Sequence, residues 1–187
     1  MSGDIECDEV YVVAGHKGQP DKVRQKGRQG RRRRLKGERG RGTAAKEKPP
    51  IFGMIQRGGQ VVLRMLDNVR QVTIRPLITA TIASGSQVYT DEYQIYSRLD
   101  EWDYRHETVN HSAGEYARDD DGDGFCEVHV NTMEGVWSLL RSWLRPHRGI
   151  SQEKLPLYLG FFEFVHNVRC RGQALLPSLI ATLVAAP

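Results

Sequence analysis

Four oxygen-bearing side chains stand where a site for a hard cation could be assembled: Asp8, Asp91, Asn131 and Glu134. The segment Ile5 to Val13 (IECDEVYVV) is rich in β-branched and aromatic residues, is bounded by Gly3 and Gly15, and reads as a strand. Asp91 follows a later short strand at Val88 and Tyr89. Asn131 and Glu134 open a helix, where residues three apart share a face. Two aspartates from strands and an oxygen donor from a helix suit magnesium, which takes oxygen ligands and keeps room for water and phosphate. Two such ions about 4 Å apart activate a water or a 3′-hydroxyl and stabilise the leaving oxygen of an in-line displacement. Residue type alone does not select these four from the 23 acids and the asparagines. Each also has an ordinary structural role open to it: Asp91 as a helix N-cap, Asn131 as another, and Glu134 as its capping-box partner.

The elements that must position them follow from periodicity. In the first strand, alternation puts Glu6, Asp8, Val10 and Val12 on one face and Ile5, Cys7, Glu9, Tyr11 and Val13 on the other. Three acids in so apolar a strand require partners, because a buried carboxylate is costly alone. Ile51 to Gln56 and Val61 to Leu66 flank Arg57-Gly58-Gly59-Gln60 and predict a hairpin. Ile74, Leu77, Ile78 and Ile82 predict a helix over 72–83, ended by Gly85. Next come a short helix from Glu92 to Leu99, a brief strand near Glu107 to Val109, and a polar, irregular insertion from Asn110 to Val130. Met133, Val136, Trp137, Leu140, Trp143 and Leu144 recur at steps of three and four, an amphipathic helix whose other face carries Asn131, Glu134, Ser138, Arg141 and Arg145. Ser151 can cap a helix from Leu155 to Val168, and Leu175 to Val184 reads as a last apolar helix. The order is mixed α/β, a single domain over 1–187, consistent with a prior of roughly 150 residues per domain.

Charge is unevenly spread. The window from Lys17 to Lys48 holds 14 of the 27 Lys and Arg against three acids (Asp21, Glu38 and Glu47), a surplus of +11, so the rest of the chain carries −7. This Gly-rich tract has almost no large apolar residue and reads as a flexible insertion over 16–49. Its expected partner is a polyanion held through counterion release, with Arg28, Arg31, Arg32, Arg33, Arg34, Lys36, Arg39 and Arg41 as backbone contacts. A localisation signal and a solvated linker are the alternatives. Apolar residues at 39% exclude general disorder, no run approaches 18 apolar residues, and the first ten residues do not form a secretory signal. Cys7, Cys126 and Cys170 are too far apart for a disulfide framework or a zinc ribbon. A cytoplasmic protein is expected.

The segments CDEVY (Cys7 to Tyr11), TDEYQIY (Thr90 to Tyr96), NHSAGEYAR (Asn110 to Arg118), HVNTMEGVWSLLR (His129 to Arg141) and YLGFFEFVHN (Tyr158 to Asn167) resemble, in order, the catalytic domain of DDE-superfamily insertion-sequence transposases. They most resemble the ISXO-like branch, whose helix reads Asn-Thr-x-Glu-Gly. The resemblance runs from Ile5 to Arg171. It implies a ribonuclease H-like fold of the retroviral-integrase type, a mixed sheet flanked by helices, with the basic loop between its first two strands. It also implies two magnesium ions (manganese substituting), no small-molecule cofactor, and cleavage plus strand transfer at the element's ends. The implied partners are transposon-end and target DNA and further copies of the chain, with nucleoid association through DNA and no membrane. Carried over, Asp8 and Asp91 are catalytic acids and metal ligands; Asn131 takes the third position with Glu134 beside it, and either of these two could touch metal. Apart from the resemblance, Arg141, Arg145 and Arg148 could contact phosphate beside the acids or simply form a solvated helix face.

Two departures accompany the resemblance. Members of this branch carry an N-terminal zinc ribbon and a helix-turn-helix region. Here seven residues precede Asp8 and there is no CxxC, so the chain reads as the catalytic half. The late helix of relatives reads Tyr-Leu-x-Glu-Phe-x-Phe-Arg. Phe161 and Val165 stand at the Glu and Arg positions, and apolar packing can replace an ion pair. The run Asp119 to Gly124 also spaces acids like a calcium-binding loop, but Val130 stands where the bidentate Glu belongs, and a solvated acidic turn is expected. A non-catalytic DNA-binding relic and a stand-alone nuclease remain as alternatives for the whole.

Overall fold

The structure is a computed structural model that describes residues 1–27 and 41–172, together with 177, 180 and 184. Its centre is strand β1 (Asp4–Tyr11), in a five-stranded sheet of order β3-β2-β1-β4-β5. β2 (Pro50–Gln56) and β3 (Val61–Met65) form the expected hairpin and pair antiparallel, β2 against β1 with Asp8 opposite Gly53. Gly58 takes the positive φ of +68° that the tight connection needs. β4 (Gln87–Asp91) and β5 (Arg105–Val109) continue the sheet on the other side of β1, all three parallel. The sheet is therefore mixed, and the carboxyl ends of β1, β4 and β5 lie along one margin.

Alternation in β1 sorts the core into two layers, as period-two geometry requires. Ile5 and Cys7 join Phe52, Met54, Val88 and the buried Ile74 and Ile78 of α2 (Gln71–Thr81). On the opposite face, Val10, Ile51 and Leu63 pack against Met133, Trp137 and Leu140 of α3 (Asn131–Leu144) and Leu155 and Leu159 of α4 (Leu155–Arg171). A short α1 (Pro20–Gln25) buries no residue.

Strand β3 has β2 on one side only, and an open strand edge invites pairing with other chains. Here α4 blunts that edge. Glu163 Oε2 accepts from the Leu63 N–H at 2.9 Å, and the Asn167 amide exchanges hydrogen bonds with Val61 N and O at 2.8 and 2.9 Å.

Several expectations shift. The helix foreseen from Glu92 to Leu99 is instead a pair of 3₁₀ turns, Gln94–Tyr96 and Asp100–Trp102. Ile95, Tyr96, Leu99 and Trp102 are buried at steps of one, three and three, which successive tight turns satisfy as well as an α-helix does. The Asn110–Val130 region contains two short paired strands, β6 (Ala117–Arg118) and β7 (Val128–His129). The basic insertion leaves and rejoins the sheet in register: Val12 N–H donates to Pro49 O and Ala14 N–H to Glu47 O. Residues 28–40 of the tract, and most of the foreseen last helix, 175–184, lie outside the described residues.

Candidate metal centre

Asp8 and Asp91 sit towards the carboxyl ends of β1 and β4, parallel neighbours in the sheet. The Asp8 carboxylate is oriented by two donors: the Glu9 N–H reaches Oδ1 at 2.7 Å, and Trp137 Nε1–H reaches Oδ2 at 2.7 Å. Trp137 reaches it because β2 offers Gly53 directly opposite Asp8. A Cβ there would overlap the Met133 methyl and the Trp137 ring. Asp91 accepts the Tyr93 N–H at Oδ1 (3.0 Å), which turns the chain sharply after β4. Next to it, buried Thr90 bonds His106 Nε2 at 2.9 Å.

Burial pushes the Asp8 carboxyl up to about 6, the Trp137 and Glu9 hydrogen bonds restrain it, and the charges of Asp91 and Glu134 add to the rise. Those three acids are thus electrostatic neighbours. Glu9, on the opposite face of β1, is raised to about 7, chiefly by burial and then by Asp8, although the buried Tyr96 hydroxyl donates to it at 2.9 Å. Burial and neighbouring charge together disfavour the ionised form of Asp8, and a divalent cation beside it would remove that penalty. The donor set is oxygen only, as a hard cation requires, and each Asp8 oxygen keeps a lone pair beyond its N–H partner; Asp8, Asp91 and Glu134 do not, however, bring their oxygens within 4.8 Å of one another.

Asn131 is the first residue of α3 and Glu134 lies one turn on, both exposed. The capping-box alternative fails: the cap position belongs to Val130, and no side chain of that residue closes the helix. Glu6 does so instead. It is fully buried, with Oε2 accepting from the Met133 N–H at 2.8 Å and Oε1 from the Thr132 hydroxyl at 2.8 Å and Arg57 Nε at 2.8 Å. The acids of this strand call for partners, but nothing in the sequence marks Arg57 as one, because its Gly-Gly setting reads only as a turn. The signal that was available was the alternation placing Glu6 and Asp8 on one face.

Of the basic residues singled out, Arg28, Arg31, Arg32, Arg33, Arg34, Lys36 and Arg39 lie outside the described residues. Arg41 stacks over the Tyr93 ring, 3.4 Å from its centroid, and its charge lowers the Glu9 and Tyr11 proton affinities. The tract therefore returns beside the acids. Arg141 and Arg145 are exposed at the far end of α3, and Arg141 follows the same stripe as Glu134. Phe161 stacks on Trp143 at 6.0 Å between centroids, with no ion pair in its place.

A separate acidic group, Asp119, Asp121 and Glu127, brings one oxygen from each residue within 4.8 Å of the others. It lies between β6 and β7 rather than between helices, and its carboxylates accept backbone N–H groups of their own loop, including Gly122 and Gly124 onto Asp119.

The ISXO2-like transposase domain matches residues 1–167, nearly the whole described chain. The chain belongs to the ISXO2-like transposase family. It is 38% identical over 185 residues to a Halobacterium salinarum protein described as an uncharacterised protein in transposable element ISH50, covering 97% of this chain. This transposase domain spans only 58% of that relative's length. It is also 30% identical over 105 residues to an uncharacterised transposase-like protein of Haemophilus influenzae, covering 55% of this chain and 77% of that one. No solved structure matches it. Among the described residues of this family member, no helix is long and apolar enough to cross a membrane.

Proposed function

We propose that this domain cuts and joins DNA strands at the ends of an insertion sequence, with Asp8, Asp91, Asn131 and Glu134 holding two magnesium ions. The supporting observation is the position of Asp8 and Asp91 at one margin of adjacent parallel strands, with Glu134 of α3 close enough to raise the Asp8 proton affinity. The strand order β3-β2-β1-β4-β5, three antiparallel strands continued by parallel ones, favours a ribonuclease H-like fold. Bound metal supplies an activated water or 3′-hydroxyl and charge stabilisation for the leaving oxygen.

The chain's own groups do the rest. Trp137 and the Glu9 N–H hold Asp8 in one orientation, and the Tyr93 N–H holds Asp91. Arg41, steadied on Tyr93, stands where it can meet the phosphate backbone as DNA approaches the acids. Arg141 and Arg145 extend a cationic path along α3, and the tract 28–40 adds sequence-independent affinity. In cells the protein acts in the cytoplasm, on the nucleoid, as an assembly of copies that brings two element ends together.

The test is incubation of the full chain with duplex DNA carrying the element's ends and magnesium, scoring nicks and joined products. Joined products support the transposase assignment. Nicks without joining would favour a nuclease, and neither product with retained DNA binding would favour a non-catalytic relic.

A further inference from the structure

Helix α3 bears two of the proposed metal-binding side chains, yet its N-terminus is closed from a different element. The residue before it, Val130, has no side chain that can accept a hydrogen bond, and the helix's free N–H groups need acceptors. His129 Nδ1 takes the Asn131 N–H at 3.3 Å, and Glu6 of β1, with no exposed surface and 3.2 Å from that nitrogen, does the rest: Oε2 takes the Met133 N–H, and Oε1 takes the Thr132 hydroxyl, each at 2.8 Å. A carboxylate there also meets the positive end of the helix dipole. Arg57, from the β2–β3 turn, holds Glu6 Oε1 through Nε at 2.8 Å. Its other nitrogens donate to the backbone oxygens of Glu127 (2.6 Å) and His129 (2.9 Å), and its guanidinium lies 4.0 Å from the Tyr89 ring centroid.

Two residues along β1, Asp8 takes the Trp137 indole N–H. Same-face strand residues repeat every ~6.7 Å and helix residues four apart rise ~6 Å. The pairs Glu6–Met133 and Asp8–Trp137 run in the same direction along strand and helix and tie α3 to β1 at two points. Glu134 lies between those points in sequence, and Asn131 lies just before the first.

We infer that Glu6 is a positioning residue of the metal centre: its buried carboxylate sets where the Asn131 and Glu134 oxygens stand relative to Asp8. This rests on the assignment of those residues as metal ligands. A core ion pair is poor evidence for stability, since well-packed apolar groups often replace one without loss. What marks Glu6 is its target, the first turn of the helix that carries the ligands.

The test is direct manganese binding by electron paramagnetic resonance on the full-length chain, comparing wild type, E6Q, D8N and I78A. Ile78 is buried in the α2 layer, away from the acids, so I78A lowers the melting temperature without touching the centre. E6Q keeps the size of the side chain but loses the charge that faces Arg57 and the helix N-terminus. It should fold, as circular dichroism reports, yet bind manganese about tenfold more weakly, as loss of a group orienting metal ligands typically does. The magnesium concentration for half-maximal nicking should rise in step, while I78A binds manganese like wild type. Wild-type manganese affinity in E6Q would overturn the inference, as would an equal loss in I78A.

Should E6Q fail to fold, T132V removes one donor to Glu6 and decides the matter: weaker manganese binding at an unchanged melting temperature upholds the role, and unchanged binding refutes it. Wild-type binding by D8N would instead remove the ligand assignment itself, whatever E6Q does.

Discussion

The indole N–H of Trp137 donates to Oδ2 of Asp8 at 2.7 Å, so the apolar face of α3 reaches through the sheet's packing layer to orient the acid on β1. A residue expected only to fill the core thus also touches the centre. Replacing it with Phe keeps most of the buried ring but leaves Asp8 without its strongest restraint against protonation. W137F should fold, and the acidic limb of its magnesium-dependent cleavage profile should move to higher pH. An unmoved pH profile would show that the contact has no bearing on the acid.

Gly53 is the space into which that indole fits. G53A places a methyl where the Trp137 ring and the Met133 methyl already stand, and overpacking of this kind costs about 1–3 kcal/mol. Thermal unfolding should show that loss, together with weaker cleavage because Trp137 is displaced from Asp8. Wild-type stability in G53A would mean that α3 can move outward freely.

Asp8→Asn should abolish magnesium-dependent cleavage and leave DNA binding intact, and Asp91→Asn should do the same. D8N should also be more stable than wild type in metal-free buffer at pH 7.5. A carboxyl raised from 3.8 to about 6 carries a charge that destabilises the folded chain by ~3 kcal/mol above that pH. Chemical denaturation without magnesium measures it, and a less stable D8N contradicts the cost of burying the Asp8 charge.

The same shift gives a pH signature. Below pH 3.8 Asp8 is protonated in both folded and unfolded chains; between there and about 6 the folded chain binds more protons, so stability falls as pH rises through this window. His106, His129 and His166, all held low by burial, act in the opposite sense near their own range. The informative quantity is therefore the difference between wild type and D8N. Wild type should lose stability relative to D8N from pH 4.5 to 7, and saturating magnesium should cancel the difference. A difference independent of pH would place the Asp8 titration elsewhere.

Arg41 is the described residue that links the basic tract to the acids. R41A should weaken DNA binding for every sequence alike and reduce the slope of log affinity against log salt by about 1. Fluorescence anisotropy across a salt series measures both, and an unchanged slope would show that Arg41 does not meet phosphate.

The strands and α3 were legible in the sequence because their signals are local: alternation in IECDEVYVV, the Gly-Gly turn, and the apolar stripe from Met133 to Leu144. Asp8 and Asp91 were legible through family-like segments rather than through spacing. The Glu6–Arg57 pair was not, since it joins residues 51 positions apart and Arg57 sits in a turn whose glycines explain the segment without it. The capping-box alternative stood open because Asn131 and Glu134 carry the right spacing, while the carboxylate at the helix start comes from another strand. The 3₁₀ turns after Asp91 escaped because tight turns and a short helix bury residues at the same intervals.

The most direct measurement is a crystal structure of the full chain grown with manganese, with the metal located by its anomalous scattering. The proposed centre requires manganese bound by the carboxylates of Asp8 and Asp91, with Asn131 or Glu134 completing the ligands. Manganese held at Asp119, Asp121 and Glu127 alone, with none at Asp8, would contradict it.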